Sequence, residues 1–122
     1  MTLNLTLPLP PSANTYYRNV GGRMLISKAG RDYKLLVRHQ AALQNVGDPV
    51  PVPTLVSLRA LVFFPKRPGP TSGDLDNRLK PLKDALANGV AYDNDYQVVR
   101  IYMERHTDAK NPRVEVCVEV LK

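Results

Sequence analysis

The chain has 122 residues, 43% of them hydrophobic and 23% charged, with seventeen Lys and Arg against eleven Asp and Glu for a formal net charge of +6. That length suits one compact domain, 1–122, since domains most often run about 100–150 residues, and no run of roughly 18 apolar residues offers a membrane span. One cysteine, Cys117, and two histidines, His39 and His106, exclude an intrachain disulfide and a multi-thiolate zinc site. They also lack the spacing of a metal motif or a nucleophilic triad. Met1 to Pro10 has no secretory pattern, so a cytoplasmic location is expected. The basic balance favours a polyanionic partner; a merely solvated basic surface is the plain alternative.

Leu3, Leu5 and Leu7 alternate with polar residues and predict a first strand, which Pro8, Pro10 and Pro11 stop. Ser12 to Arg23 reads as a long polar loop holding Tyr16, Tyr17 and Arg18, either a functional loop or one whose tyrosines pack against the core edge. Ser27 caps a predicted helix reaching about Asn45, with Ala29, Tyr33, Leu36, Val37 and Ala41 on its buried side and Lys28, Arg31, Lys34 and Arg38 between them. A proline-rich connector follows, then a strand in which Val56, Leu58, Ala60, Val62 and Phe64 point one way. Pro65 to Gly73 forms a stiff exposed loop carrying Lys66 and Arg67.

Leu75, Leu79, Leu82 and Leu86 predict an amphipathic helix that Asn88 and Gly89 end. Pro81 demands either a kink or a start close to Pro81 itself. Asp93-Asn94-Asp95 is a turn, followed by a strand with Val99, Ile101 and Met103 on one side. Thr107 to Pro112 reads as a hairpin connection to a last strand in which Val114, Val116, Val118 and Val120 alternate with Arg113, Glu115, Cys117 and Glu119. The order β-α-β-α-β-β implies an α+β fold: a mixed sheet of about four strands with two helices packed on one face.

The chemistry concentrates in Gly73-Asp74-Leu75-Asp76-Asn77 and in Asp93 and Asp95. Carboxylates sharing a small volume repel unless a cation neutralises them, and hard oxygens suit Mg²⁺ or Mn²⁺. Such a site fits phosphodiester hydrolysis. Lys80 stands four residues after Asp76, where it either stabilises charge on a reacting phosphate or makes an ordinary i, i+4 surface pair. The aspartates equally serve as a helix cap and turn formers. Glycosyltransferases and phosphatases that use a similar pair generally need a larger core than this chain provides.

Taken together, Leu7-Pro-Leu-Pro-Pro-Ser-Ala-Asn14, Tyr16-Tyr-Arg18, Asp74-Leu-Asp-Asn77 with Lys80, Asp84-Ala-Leu86 and Asp93-Asn-Asp-Tyr-Gln-Val98 resemble the RusA family of Holliday junction resolvases, crossover junction endodeoxyribonucleases. The resemblance spans nearly the whole chain. It implies an RusA-like fold and a Mg²⁺-dependent endodeoxyribonuclease, with Mn²⁺ as a substitute, that resolves four-way junctions by paired phosphodiester hydrolysis in DNA recombination and repair. Asp74, Asp76 and Asp95 become the metal ligands and, with Lys80, the catalytic set. Asp93 is the alternative third ligand, and Asn94 stands where an aspartate is frequent. Asn14, Tyr17, Arg18, Lys66, Arg67 and Arg78 are the expected DNA contacts, branched DNA the partner, a homodimer the assembly, and no membrane is involved.

Two departures bear on these expectations. The run before the first aspartate is often densely basic in the family, whereas Pro68 to Gly73 intervene here, and Pro81 follows Lys80 directly. The alternatives are a catalytically silent branched-DNA-binding module, or a related nuclease preferring flaps, forks or RNA.

Overall fold

The computed structural model describes residues 1–121. In chain order the elements are β1 (Thr2–Leu7), α1 (Ala13–Tyr16), β2 (Tyr17–Val20), β3 (Arg23–Ile26), α2 (Lys28–Leu43), β4 (Val56–Phe64), α3 (Leu79–Leu86), β5 (Val98–Thr107) and β6 (Arg113–Val120). Short 3-10 turns cover Asp76–Arg78 and Asp95–Gln97. Four strands form one mixed sheet in the order β1-β6-β4-β5, and β2 and β3 form a separate ribbon. The α+β class, the mixed four-stranded sheet and the two longer helices are as expected from the sequence.

The period-two strands build the core directly. Leu3, Val118 and Leu58 lie abreast, as do Leu5, Val116 and Ala60, and then Leu7, Val114 and Val62. All nine side chains are buried on the face that α2 and α3 cover with Tyr33, Val37, Leu82 and Leu86. Each fully buried Leu or Val contributes roughly 1.5–3 kcal/mol. The opposite face carries Arg59, Tyr102, Glu115, Cys117 and Glu119, all exposed or half-buried. No helix among the described residues is long and apolar enough to cross a membrane.

Four local expectations are corrected. First, residues 12–23 are not one loop: Ser12 caps the short α1, and Tyr17–Val20 pairs with Arg23–Ile26. Second, β5 and β6 are not a hairpin. β5 runs parallel to β4, joined to it through α3, and β6 lies on the other side of β4, antiparallel to it. The connection steps over the end of β4, where the Asp108 N–H donates to the Phe64 carbonyl at 2.8 Å.

Third, the buried stripe of α2 is Gly30, Tyr33, Val37 and Ala41, while Ala29 and Leu36 are exposed. A Cβ at position 30 would meet the Tyr16 carbonyl at 2.7 Å and Ile26 Cγ2 at 2.6 Å, so only glycine lets α2 seat this closely. Fourth, Val99 and Ile101 are exposed because β5 is an edge strand; only Met103 of that row packs against the core. Ser27 caps α2 as expected, its side chain accepting from the Gly30 N–H.

Pro81 is accommodated without a break. α3 begins at Leu79, which places Pro81 in the first helical turn, where a backbone N–H has no intrahelical acceptor to lose.

Candidate active site

The acidic block follows a loop that Arg105 holds. Gly73 adopts φ +84°, a conformation that favours glycine, and a Cβ there would approach Arg78 Nη2 to 3.2 Å. Arg105 donates from Nη1 to the Gly73 carbonyl at 2.8 Å and from Nη2 to the Lys66 carbonyl at 3.3 Å. Its guanidinium stacks 3.7 Å from the centroid of the Phe64 ring. Arg78 lies 5.2 Å from the same ring and donates to the Pro10 carbonyl at 2.6 Å. Burial lowers the Arg78 pKa, and the neighbouring charge of Arg105 adds to the effect.

Leu75 turns toward the core, and Asp74 and Asp76 on either side of it are exposed. Neither aspartate caps a helix: Leu75 and Arg78 occupy the cap positions of the 3-10 turn and of α3, with no side-chain bond. Neither enters an ion pair among the described residues. Asp76 is therefore not the helix cap that the sequence permitted.

Asp95 is placed by its neighbours. The fully buried Gln97 accepts from the Asp93 N–H at 3.0 Å and the Asn94 N–H at 2.8 Å. Its amide nitrogen donates to the carbonyls of Val50 at 3.1 Å and Thr54 at 2.7 Å. The Asn94 side chain accepts from the Tyr96 N–H and caps the 3-10 turn that carries Asp95.

Lys80 does not pair with Asp76. Its ammonium donates to Asp95 Oδ2 at 2.8 Å, across fifteen residues of sequence. The hydrogen bond from Lys80 holds the Asp95 carboxyl below its usual range, and the same bond raises Lys80 above its ordinary value. The depressed acid contributes stability above its unfolded pKa and loses it as pH falls through the folded one. The raised ammonium contributes below its unfolded pKa and loses it as pH rises through the folded one. Both charges therefore persist across neutral pH. Lys80 is 55% exposed, so such a pair adds only about 0.2–1 kcal/mol.

Tyr17 and Asp84 complete the surroundings. Burial raises the Tyr17 phenol most, the charges of Asp84 and Asp95 add to it, and that of Lys80 opposes it. Asp84, one helical turn after Lys80, accepts from the Tyr16 hydroxyl at 2.9 Å, and with Asp93 and Asp95 it lines a small cleft. Sequence reasoning left Asp84, Gln97 and Arg105 out of the site. No local pattern marks the arginine, whereas a glutamine two residues after an aspartate, at the mouth of a strand, was a usable signal. Of the expected DNA contacts, Asn14, Arg18, Lys66 and Arg67 are exposed, while Tyr17 and Arg78 are half-buried.

Among the described residues no three His, Cys, Asp or Glu side chains are grouped closely enough to cage a metal ion. The donor chemistry nonetheless suits a hydrated divalent cation: Asp74 and Asp76 are exposed and enter no ion pair among the described residues, Asp95 is kept ionised by Lys80, and all are hard oxygen ligands.

Fold and site define a small, basic α+β protein that carries exposed aspartates and a Lys80–Asp95 pair. The family model described as Endodeoxyribonuclease RusA matches residues 8–119. The proteins named Crossover junction endodeoxyribonuclease RusA from Shigella sonnei (strain Ss046) and Escherichia coli (strain K12) are 34% and 33% identical to this chain over 119 residues. The alignments cover 96% of this chain and 93% of each relative. The protein of that name from Enterobacteria phage 82 is 33% identical over the same span. The chain belongs to the RusA family of endodeoxyribonucleases.

Proposed function

We propose that this chain is a Mg²⁺-dependent endodeoxyribonuclease that resolves four-way DNA junctions by paired phosphodiester hydrolysis, acting as a cytoplasmic homodimer in recombination and repair. The observation that carries the reading is the Lys80–Asp95 contact, in a chain of this family whose Asp74 and Asp76 are exposed and enter no ion pair among the described residues. Asp74, Asp76 and Asp95 are the residues that would hold the cation. Bound there, Mg²⁺ or Mn²⁺ would polarise a phosphate oxygen and lower the pKa of a water.

The chain's own groups do the rest. Lys80 bonds only Oδ2 of Asp95, so the other carboxylate oxygen stays available to a cation. The Lys80 ammonium would offset the negative charge that accumulates as the phosphodiester is attacked. Asn14, Arg18, Lys66 and Arg67, all exposed, supply polar and cationic contacts for the DNA backbone, and Tyr17 flanks the reacting strand. A two-fold dimer presents two such sites to the two-fold symmetry of a junction, which is what paired nicks require.

Incubating the protein with a labelled four-way junction and a matched linear duplex, with and without Mg²⁺, tests the reading. Paired, Mg²⁺-dependent nicks confined to the junction are expected. Equal cutting of flaps, forks or RNA would move the substrate, and binding without cutting would support the silent module instead.

Lys80→Met is expected to lower the cleavage rate by about a hundredfold or more while changing stability by no more than about 1 kcal/mol. Denaturant unfolding and single-turnover cleavage on one preparation check both halves. A large stability loss with cleavage retained would make Lys80 a structural residue.

A further inference from the structure

The β2–β3 ribbon stands apart from the main sheet, and only Tyr17 and Ile26 at its root pack against the core. Its two strands pair only with each other, and a Cβ placed at Gly21 or Gly22 would meet nothing within 4 Å, so the tip stands in open space. Both glycines have positive φ, +58° and +81°, the conformation of a tight hairpin turn, and the Gly22 N–H donates to the Asn19 side chain. An isolated hairpin is marginal in water, and this one is seated at its root. The Ser27 N–H donates to the Tyr16 carbonyl at 2.8 Å, the Ser27 hydroxyl to the Thr15 carbonyl at 2.6 Å, and Arg31 to the Ile26 carbonyl at 2.9 Å.

What the ribbon displays is unusual for a solvated surface. The register places Arg18 opposite Leu25 and Val20 opposite Arg23, so one face is a chequerboard of two cations and two aliphatics. Val20 and Leu25 are each 41% exposed, and Met24, on the other face, is 66% exposed. No acidic residue occurs anywhere in residues 1–31. Arg18 and Arg23 enter no ion pair among the described residues. The root reaches the active site, because Tyr17, the first residue of β2, lies within the electrostatic reach of Lys80 and Asp95.

We infer that the ribbon inserts at the branch point of the DNA, its arginines on the flanking phosphates and Val20, Met24 and Leu25 against base faces that lose their stacking partners there. The inference rests on the proposed junction reading and extends it. Phosphates alone would require only the arginines. Exposed aliphatic side chains among cations call for a ligand that is anionic at its edges and flat and apolar within, and unstacked bases bordered by phosphates meet that requirement. Intact duplex exposes few base faces, so the ribbon discriminates branched from linear DNA, and its root delivers the adjoining strand to Asp95 and Lys80.

A junction carrying 2-aminopurine at the crossover tests this in EDTA, where no strand is cut. The wild-type chain should raise the fluorescence several-fold as the base unstacks. Val20→Ser combined with Met24→Ser and Leu25→Ser should remove most of that rise and weaken junction binding about tenfold, with linear-duplex affinity changed less than twofold. Arg18→Gln combined with Arg23→Gln should lower the salt slope of junction binding by about two. As a measurement that needs no variant, 5-iodouracil at the crossover should crosslink to residues 17–26 of the wild-type chain.

An unchanged fluorescence rise in the triple variant, or crosslinks elsewhere only, overturns the inference while leaving junction cleavage standing. Dissociation of a dimer by the triple variant, seen by light scattering, would assign the ribbon to contact between copies and overturn it as well. Absence of any junction binding by the wild-type chain would remove the proposed function and the ribbon's role together.

Discussion

Asp76→Asn is expected to leave the chain folded and bound to a four-way junction while reducing Mg²⁺-supported cleavage by about a thousandfold or more. The replacement preserves shape and one oxygen but removes the charge. Its structural cost should be within about 0.5 kcal/mol, because Asp76 is exposed, caps nothing and enters no ion pair among the described residues. DNA binding should hold or improve, since a negative charge leaves a surface that meets phosphates. Thermal unfolding gives an independent readout. A cation bound only by the folded state raises Tm, so Mg²⁺ should stabilise the wild type more than the variant. A variant that cuts at the wild-type rate would falsify the assignment of Asp76 to the metal.

Gln97→Leu should bring the largest loss of stability, roughly 2–4 kcal/mol in urea unfolding. The side chain is fully buried and uses its whole hydrogen-bonding capacity, accepting two backbone N–H groups and donating to two carbonyls. Leucine fills the space but leaves those four groups without this partner. The Asp93–Asp95 turn would also lose its tie to the connector at Val50 and Thr54, so cleavage per folded molecule should fall with it. Gln97→Glu should destabilise too, because a carboxylate oxygen would then face two carbonyl oxygens. A change below about 1 kcal/mol for the leucine variant would show that Asn94 alone shapes the turn.

The sheet was legible wherever burial imposed a period. Leu3, Leu5 and Leu7, Val56 to Phe64 and Val114 to Val118 each alternate because one face meets helices and the other water. The ribbon was not legible for the same reason: with both faces exposed, Val20, Met24 and Leu25 answer to no core, and only Gly21-Gly22 marks the turn. Pairing of β5 with β4 rather than β6 depends on the path through α3, which no strand pattern encodes. The offset on α2 arises from the close approach of Tyr16 and Ile26 to Gly30, a tertiary fact. At the site, Asp74, Asp76, Lys80 and the Asp93–Asp95 pair could be singled out by type and spacing, and the preference for Asp95 comes from the family resemblance. That Lys80 would reach Asp95 rather than Asp76 could not be read from spacing, because the partner lies on a different element.

The grip of Arg105 on both ends of the loop has a further consequence. By bonding the Lys66 and Gly73 carbonyls together, one guanidinium closes the intervening residues into a ring whose neck is fixed to the Phe64 ring. Changes of length or charge inside the ring are thereby isolated from the position of Asp74, much as a loop of rope beyond its knot can be lengthened without moving the mooring. Arg67 to Ser72 can thus change while Asp74 keeps its place.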